Sequence, residues 1–350
     1  MNPVPNFSLL HNFLLTIDVE DWFQVENLRP WFPHETWPGC ELRVERNVRR
    51  LLDLFDELCN KSHNSTNPIN SLNPTDPTNP NTPFSATFFV LGWIAERLPQ
   101  LVREIAARGH EVASHGYGHR MCNTLSNEDL KEDLVKSKSI LEDILGQKVS
   151  GFRAPNFSID DRVLSLVADS GYAYDSSYNN FNLHGRYGKI NLNGQPMAGI
   201  AYRLSDSFFE LPISNLPFIS FPILGLLGTS AHFRHSVIPW GGGAYFRLVP
   251  RSIFYSGVRR ILERSGAYSF YIHPWEIDPD QPKIRRAPFI SRFKHYTNLK
   301  ETERKLRSMI QELADCRFSC CRDYIGKRPG LTAPGLRARG ARYEAMFPTA

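Results

Sequence analysis

The sequence predicts an α/β fold in which parallel strands are joined by crossover helices. Short apolar strand patterns alternate with amphipathic helix patterns from residue 13 to about residue 177, as they do in βαβ units. Reactive polar residues follow several of these strands at their C-terminal ends, where parallel (β/α) folds carry their active sites. The length of 350 residues is sufficient for one long α/β domain or two smaller ones.

The individual elements are read from hydrophobic period and from helix caps, such as Ser126 at a start and Gly146 at an end. Strands are predicted at 13–17, at 86–91, in the run before His115, at 149–152, 172–174 and 268–272, and at 316–325. Helices are predicted at 41–59, 93–108, 126–145, 162–169, 251–264 and 301–315.

Two stretches lack a periodic pattern. Residues 61–83 hold five prolines and six asparagines, a composition that cannot build a core, so we predict a disordered surface insertion. Residues 179–243 are rich in proline, glycine and aromatic residues, and they predict no regular element.

The charge and cysteine content exclude some classes of protein. Of the net charge of +5, residues 327–350 contribute +4. The remaining +1 gives no argument for nucleic acid. We expect residues 326–350 to be a disordered basic tail, with weak contact to an anionic surface as the alternative. The six cysteines lack Cys-x-x-Cys spacing and suggest no disulfide framework.

Neither a signal peptide nor a membrane span is predicted. Residues 1–15 lack a basic segment followed by a long apolar run, and three prolines interrupt the apolar stretch 211–227. We therefore expect a cytoplasmic protein without a transmembrane segment, for which peripheral membrane contact remains an option.

Two histidines, His115 and His119, lie four residues apart just beyond a short apolar run. In an extended strand their rings would be roughly 13 Å apart, whereas one metal ion needs each ring nitrogen at about 2 Å. Chelation therefore requires the chain to curl, which Gly116 and Gly118 permit. An ordinary polar surface loop is the alternative.

Three carboxylates, Asp18, Glu20 and Asp21, follow the first predicted strand within four residues. In a low dielectric they would repel one another, so a cation must compensate them or one must stay protonated. An acidic cluster at a helix N-terminus is the common alternative.

Five reactive side chains stand beyond the ends of five separate predicted strands: Asp18, His115, Arg153, Asp175 and His273. Each one alone has an ordinary structural explanation, but together they predict a hydrolytic metal site. His115, His119 and one carboxylate would bind the metal and leave positions open. Asp18 would act as general base held by Arg153, and His273 would protonate a leaving amine.

These motifs resemble, in their order, the five motifs of the NodB-homology polysaccharide deacetylases, carbohydrate esterases of family four. They are Thr16-Ile17-Asp18, His115-Gly-Tyr-Gly-His119, Arg153-Ala-Pro155, Asp175-Ser-Ser177 and Ile272-His273. Three further stretches are similar to the exosortase-associated subgroup, which has an extra C-terminal region: Asp18-Val-Glu-Asp21, Trp240-Gly-Gly-Gly-Ala-Tyr-Phe-Arg247 and Tyr271-Ile-His-Pro-Trp-Glu-Ile-Asp278.

The resemblance implies a distorted, TIM-like (β/α)7 barrel with an irregular C-terminal extension. The deacetylase domain would span residues 1–325, with a subgroup-specific region at about 200–325. The resemblance also implies a divalent metal, with zinc expected, and removal of acetyl groups from N-acetylated sugars. By position, Asp18 corresponds to the base, His115 and His119 to the metal ligands, Arg153 to the partner of the base, Asp175 to the wall of the acetate pocket and His273 to the acid.

The chain departs from the family pattern at two places. Where the family has adjacent aspartates, Asp18 is followed by Val19, Glu20 and Asp21. On a strand Glu20 shares the face of Asp18, so we expect Glu20 to be the third metal ligand. Asp21 is the alternative if the chain turns. Gly116 replaces the usual serine, which removes a hydrogen bond that steadies the loop.

Substrate contacts are predicted at Pro155 and at three aromatic residues, Trp240, Tyr245 and Trp275. Sugar rings stack on exposed aromatic side chains, so a carbohydrate cleft is one interpretation of this group. Ordinary core packing is equally compatible with each aromatic residue.

The expected function is hydrolysis of the N-acetyl amide of an N-acetylated glycan or a lipid-linked sugar, in exopolysaccharide biosynthesis. A deformylase or another linear amidase acting on a related sugar is an alternative. A second alternative is a catalytically silent, carbohydrate-binding member of a polysaccharide assembly complex. A non-haem iron oxygenase would use similar ligands, but Arg153 and His273 fit hydrolysis better.

Overall fold

The computed structural model describes residues 11–63, 84–181, 187–217 and 237–327. Nearly all of the predicted insertion at 61–83 and of the basic tail at 326–350 lies outside these residues, as does most of the apolar stretch 211–227. Within the described ranges, no helix has the length and the apolar character that crossing a bilayer requires.

One curled, mainly parallel sheet forms the centre of the fold. In the described residues, seven parallel strands follow the spatial order β11-β1-β2-β3-β4-β5-β8, and the antiparallel strands β7 and β6 extend the sheet beyond β8. The short strand β12 also pairs in parallel with the start of β1. The strands are β1 (Asn12–Val19), β2 (Thr87–Val90), β3 (Glu111–Ser114), β4 (Gly151–Phe152), β5 (Tyr174–Asp175), β6 (Met197–Ala198), β7 (Ala201–Arg203), β8 (Phe209–Glu210), β9 (Leu216–Pro217), β10 (Val237–Ile238), β11 (Ala267–Ile272) and β12 (Arg317–Phe318). This is the distorted (β/α)7 barrel that the resemblance implies.

Irregular chain around Ser214 and Gly241 covers the free edge of β11. The Ser214 amide donates to the Ser269 carbonyl at 3.2 Å, and the Tyr271 amide donates to the Gly241 carbonyl at 2.7 Å. These bonds satisfy backbone groups on the open edge of β11, which would otherwise be left unpaired.

Most of the helices pack against the outer face of the sheet, whereas the last one packs against inner-face residues such as Leu14 and Phe89. They are α1 (Val44–His63), α2 (Gly92–Arg97), α3 (Pro99–Ala107), α4 (Asn127–Leu145), α5 (Asp161–Asp169), α6 (Gly243–Leu248), α7 (Arg251–Ser265), α8 (Phe289–Tyr296), α9 (Leu299–Glu312) and α10 (Cys321–Gly326). Ser126 caps α4 by accepting the Asp129 amide at 3.1 Å, and Gly146 ends it with φ +65°, so both predicted boundaries are confirmed.

Three sequence predictions of elements differ from the structure. The single helix predicted at 93–108 is divided into α2 and α3, because Pro99 has no amide hydrogen and begins a new helix. The strand predicted at 316–325 is only the two-residue β12, and the helix α10 follows it. The stretch 179–243, for which no element was predicted, contains β8, a two-residue strand of the barrel that is too short to show a period.

The register of the sheet determines which strand-end residues meet. Ile17 of β1 pairs with Ile272 of β11, so Asp18 and His273 occupy the next positions along neighbouring strands. Likewise Ser114 of β3 pairs with Phe152 of β4, which places His115 beside Arg153. Because parallel strands end at the same edge of a sheet, these side chains come together at the mouth of the barrel.

Candidate active site

Three side chains form a cluster that could hold a metal ion. One ligand atom from each of Glu20, His115 and His119 lies within 4.8 Å of the others, and all three residues are buried. The His119 Nε2 atom is 2.6 Å from Glu20 Oε2, and the two imidazole centroids are 5.5 Å apart. The chain therefore brings the rings much closer than the roughly 13 Å of an extended strand.

The loop that carries the two histidines is curled by left-handed backbone. Gly116 has φ +73° and His119 itself has φ +50°. Asp133 of α4 holds the turn, since its Oδ1 accepts the Tyr117 amide at 2.8 Å and its Oδ2 accepts the Gly118 amide at 3.3 Å. This buried carboxylate therefore steadies the loop.

Glu20 carries the negative charge of the cluster. Burial opposes its ionisation, but His119, His273 and His115 outweigh that effect and lower its pKa to about 2. Its Oε1 accepts a hydrogen bond from Trp275 Nε1 at 3.2 Å. Its buried Oε2 lies 2.6 Å from His119 Nε2 but makes no hydrogen bond of regular geometry to that atom or to any other described residue. A bound cation would satisfy that oxygen, so the residues present fit a metal ion.

Asp21, the alternative ligand from the sequence, does not join the cluster. Its Oδ1 accepts the Trp22 amide at 2.8 Å, and its Oδ2 accepts the amides of Arg43 and Val44 at 2.7 and 2.9 Å. The carboxylate therefore caps the start of α1. Burial outweighs these hydrogen bonds and raises the pKa of Asp21 to about 6.

The hydrogen bond made by His115 fixes its tautomer. Its Nδ1 lies 2.8 Å from the Arg153 carbonyl oxygen, which can only accept, so Nδ1 carries the proton. Nε2 is then the nitrogen with a free lone pair, as a metal ligand needs. Burial lowers the pKa of His115 to about 4, so the ring is neutral at pH 7.

Asp18 and Arg153 form a buried ion pair beside the cluster. The Arg153 Nη1 donates to Asp18 Oδ1 at 2.7 Å and to Thr16 Oγ1 at 2.7 Å. Its Nε and Nη2 donate to the Ser176 carbonyl and hydroxyl, each at 2.8 Å. The guanidinium therefore has fixed partners, and it holds the Asp18 carboxylate in one orientation.

His273 lies on the opposite side of Glu20, between two carboxylates. Its Nε2 is 3.2 Å from Glu20 Oε1, and its Nδ1 is 2.8 Å from Glu276 Oε1. Burial disfavours the imidazolium, but Glu20 and Glu276 outweigh burial and raise the pKa of His273 to about 9. Arg247 in turn holds Glu276, with its Nε 2.6 Å from Glu276 Oε2.

Sequence reasoning did not assign roles to Glu276, Arg247 or Asp133. Glu276 follows His273 by three residues in a capping-box arrangement, and this spacing was a signal available in the sequence. Arg247 and Asp133 are distant from their partners along the chain, so no local pattern identifies them.

A cavity of about 450 Å³ opens over these groups. Asp18, Glu20, His115, His119 and His273 all line it. Its wall includes the aromatic residues Phe157, Phe181, Tyr187, Tyr245 and Tyr271. Such a volume suits one or a few sugar units, with charged groups at the base and ring faces on the sides.

The residues predicted to contact substrate have different surroundings. Tyr245 lines the cavity and is partly exposed. The prediction that Trp240 contacts substrate is wrong. Trp240 is buried, its ring stacks on Phe254, and its Nε1 donates to the Phe254 carbonyl at 2.8 Å. Pro155 is also buried and is not part of the cavity lining.

Trp275 lines the cavity, but it is only 5% exposed, and two histidines stack on its indole. His273 stacks with it at 5.2 Å between ring centroids, and His295 stacks with it at 4.3 Å. Its Nε1 donates to Glu20. Trp275 therefore offers no free ring face to a sugar, and its contacts instead hold His273 and Glu20 in place.

Asp175 does not line the cavity. It pairs in register with Phe152, one residue before Arg153, so it lies on the opposite face of the sheet from Arg153. Its carboxylate accepts the Ser177 amide and hydroxyl at 2.8 and 2.7 Å. Burial raises the pKa of Asp175, and burial together with the neighbouring Asp175 carboxylate raises the pKa of Glu210 well above its usual range.

Comparison with known protein families gives two adjoining matches. Residues 81–174 match the family described as polysaccharide deacetylase, and residues 176–326 match a domain of unknown function, DUF3473. The first match contains His115, His119 and Arg153, and the second contains His273. Asp18 and Glu20 precede both matches.

Individual relatives are similar over a shorter stretch. A peptidoglycan deacetylase-like protein, FGM2, from Gibberella zeae is 35% identical over 91 residues, 26% of this chain and 27% of that protein. A peptidoglycan-N-acetylglucosamine deacetylase from Bacillus cereus is 32% identical over 87 residues, 25% of this chain and 40% of that protein. The chain thus spans well under half the length of these relatives.

The fold has a counterpart among crystal structures. A Mycobacterium smegmatis protein assigned as a polysaccharide deacetylase aligns over 93% of this chain and 92% of its own, with a TM-score of 0.53 and 19% identity. At this level of identity the similarity establishes the fold alone.

Proposed function

We propose that this chain, which joins a polysaccharide deacetylase domain to a DUF3473 region, hydrolyses the N-acetyl amide of an N-acetylated sugar and releases acetate. The observation that carries the proposal is the single cavity lined by Glu20, His115 and His119 together with Asp18 and His273. A metal-ligand set with an acid and a base on either side suits hydrolysis of an unactivated amide.

Glu20, His115 and His119 would hold a divalent metal, with zinc as our first choice, since two imidazoles and one carboxylate are ordinary zinc ligands. When bound, the ion supplies Lewis-acid polarisation of the amide carbonyl and makes water more acidic. The neutral His115 ring and the strongly acidic Glu20 are both ready to bind it without releasing a proton at pH 7.

Asp18 is placed to accept a proton from the attacking water. It lines the cavity, and Arg153 fixes its carboxylate through Oδ1. Its second oxygen would then take the proton while the water oxygen forms a bond to the amide carbon. Because the guanidinium is fully buried and fixed by four hydrogen bonds, the base is oriented before substrate arrives.

His273 is placed to donate a proton to the leaving nitrogen when the carbon–nitrogen bond breaks. The imidazolium is favoured by Glu20 and Glu276. A bound cation would neutralise the effect of the Glu20 charge on the pKa of His273. Glu276 would still raise that pKa through its contact with Nδ1. The products are acetate and a free amino sugar, which balances the consumption of one water molecule.

The catalytic unit in this proposal is residues 1–325, without a boundary between the two matched regions. Support comes from β11, which pairs with the first strand β1 and carries His273 at its end. The first matched region alone would therefore lack the acid, and it would also lack β1, which contains Asp18.

The biological setting is part of the same proposal. We place the reaction in exopolysaccharide biosynthesis, on the resemblance to the exosortase-associated subgroup, with a glycan or lipid-linked sugar as substrate. A cytoplasmic location is supported by six cysteines that form no disulfide, since reduced cysteines are typical of that compartment.

The deciding experiment combines metal analysis with an acetate assay on N-acetylglucosamine oligomers. We expect about one equivalent of metal in the purified protein, acetate release that a chelator abolishes, and recovery when zinc is added back. The His115→Ala variant should contain no metal. Acetate release that survives both chelation and this substitution would contradict the proposal, and release of formate alone from an N-formyl analogue would favour a deformylase.

A further inference from the structure

Helix α8 presents an apolar face to solvent. Phe289, Ile290 and Phe293 are 72%, 66% and 48% exposed, the highest values among the large apolar side chains in the described ranges. Their spacing of three and four residues places them on one side of the helix, and the two phenylalanine rings stack at 6.2 Å between centroids. A contiguous apolar face of this kind usually marks an interaction surface.

Cations lie beside this face, since Lys283, Arg285 and Arg292 line a surface pocket together with Phe289 and Phe293. Residues 281–300 contain six Lys and Arg residues and no Asp or Glu. Five of these cations lie on α8 or on the segment leading into it: Lys283, Arg285, Arg286, Arg292 and Lys294. Where the chain is described, none of the five forms an ion pair with a carboxylate. Their charge is therefore available to an anionic partner.

The exposed helix is held firmly from its inner side. His295 is buried, stacks on Trp275 at 4.3 Å and hydrogen bonds to Gln281 Oε1 at 2.7 Å. Arg247 donates to the carbonyls of Lys294 and His295 at 2.7 and 3.0 Å. The apolar face is therefore presented outward by a fixed helix.

We propose that α8 and its preceding segment form a docking surface for an anionic phospholipid membrane. We name it the basic aromatic surface: Phe289, Ile290 and Phe293, with Lys283, Arg285, Arg286, Arg292 and Lys294. Aromatic and aliphatic side chains enter the boundary between headgroups and acyl chains, while the surrounding cations contact lipid phosphates. A second copy of this chain is a poor partner, because two such surfaces would bring like charges together without intervening anions.

The basic aromatic surface adjoins the cavity. Lys294 and His295, both on α8, are among the residues that line it. Membrane docking would therefore bring the cavity close to the lipid headgroups. This consequence rests on the proposed function, for which it favours a lipid-linked sugar as substrate, whereas membrane binding itself does not depend on that function.

Vesicle co-sedimentation of the full chain tests the proposal. We expect binding to vesicles of phosphatidylcholine with about one-third phosphatidylglycerol and little binding to phosphatidylcholine alone. Raising the salt from about 0.1 M to about 1 M should weaken the binding, because screening shortens the range of the charges. The double variants Phe289→Ser/Phe293→Ser and Arg285→Glu/Arg286→Glu should each bind at least about tenfold more weakly.

Matched controls come from α4, where Val135 is 44% exposed and Lys131 is also exposed. Val135→Ser and Lys131→Glu should bind vesicles as the wild type does, and every variant keeps the basic tail. Near-ultraviolet circular dichroism establishes that each variant is folded. The proposal is overturned if the two double variants bind like the controls, if neutral vesicles bind equally well, or if Phe289→Ser/Phe293→Ser instead abolishes a dimer in sedimentation velocity.

Discussion

At the scale of single residues, the site is a sequence of alternating charges. Arg153 faces Asp18, the Glu20 carboxylate lies between the imidazoles of His119 and His273, and Glu276 lies beyond His273. Each buried charge has an opposite charge at hydrogen-bond distance, which is the condition for keeping it ionised away from water. Removing one member therefore leaves its neighbour without an opposite charge.

Asp18→Asn tests the assignment of the base. An amide is isosteric with the carboxylate but cannot accept a proton at neutral pH, so we expect acetate release to fall about 10²–10⁴-fold. Metal content should be unchanged, because Asp18 is outside the ligand cluster. Equal activity in the variant and the wild type would rule out Asp18 as base.

Glu276→Gln tests a positioning residue. Removing its negative charge should lower the pKa of His273, because Glu276 helps to raise that pKa to about 9. The imidazolium would then be lost at lower pH, so the alkaline limb of the kcat/KM profile should move to lower pH. Glu301→Gln, on the exposed end of α9, is the matched control. An unshifted alkaline limb would show that Glu276 acts only in folding.

At the scale of elements, the metal-ligand cluster depends on the curled loop after β3. Gly116 has φ +73°, and a Cβ at this position would lie 2.8 Å from Asp133 Oδ1. The same carboxylate accepts the amides of Tyr117 and Gly118. The loop is therefore shaped by α4 as much as by its own glycines.

Gly116→Ala should weaken metal binding at least about tenfold and destabilise the protein by about 2–3 kcal/mol, through left-handed strain and the clash with Asp133. Gly146→Ala is the matched control, since Gly146 also has a left-handed backbone, with φ +65°, but a Cβ added there would meet nothing within 4 Å. It should cost only about 1 kcal/mol and keep the metal. Metal titration and urea unfolding measure both effects, and equal behaviour of the two variants would refute the role of the loop.

At the scale of the whole molecule, a buried histidine far from the cavity ties stability to pH. His110 packs against Phe55 and Phe88, and its Nδ1 accepts the Ala86 amide at 3.3 Å. Burial lowers its pKa to about 4 from the usual 6.5. Between these values the unfolded chain binds a proton that the folded chain does not, so stability is complete above pH 6.5 and is lost as the pH falls towards 4.

His110→Gln removes this titration while leaving an amide oxygen to accept the Ala86 amide. We expect the free energy of unfolding of the wild type to fall between pH 6.5 and 4.5 by up to about 3 kcal/mol more than that of the variant. Urea unfolding at a series of pH values measures the difference. Parallel curves for the two proteins would show that His110 contributes nothing to acid sensitivity.

The sequence by itself determined the alternation of strands and helices and the reactive residues at strand ends. These follow from local chemistry: side-chain period, caps and the sequential neighbours of each residue. The seven-strand barrel could be predicted only from the order of the motifs. The strands β4, β5 and β8 have only two residues each, so they show no hydrophobic period of their own.

Only the tertiary structure decided which of these residues share the cavity. The Asp21 carboxylate does not join the metal-ligand cluster, because it accepts the amides of Arg43 and Val44, 22 and 23 residues later. Asp175 falls on the outer face because its strand pairs in register with Phe152, one residue before Arg153. The Glu276–Arg247 pair joins two segments 29 residues apart. In each case the direction of a side chain is set by partners that are distant in sequence, and a linear pattern does not contain that information.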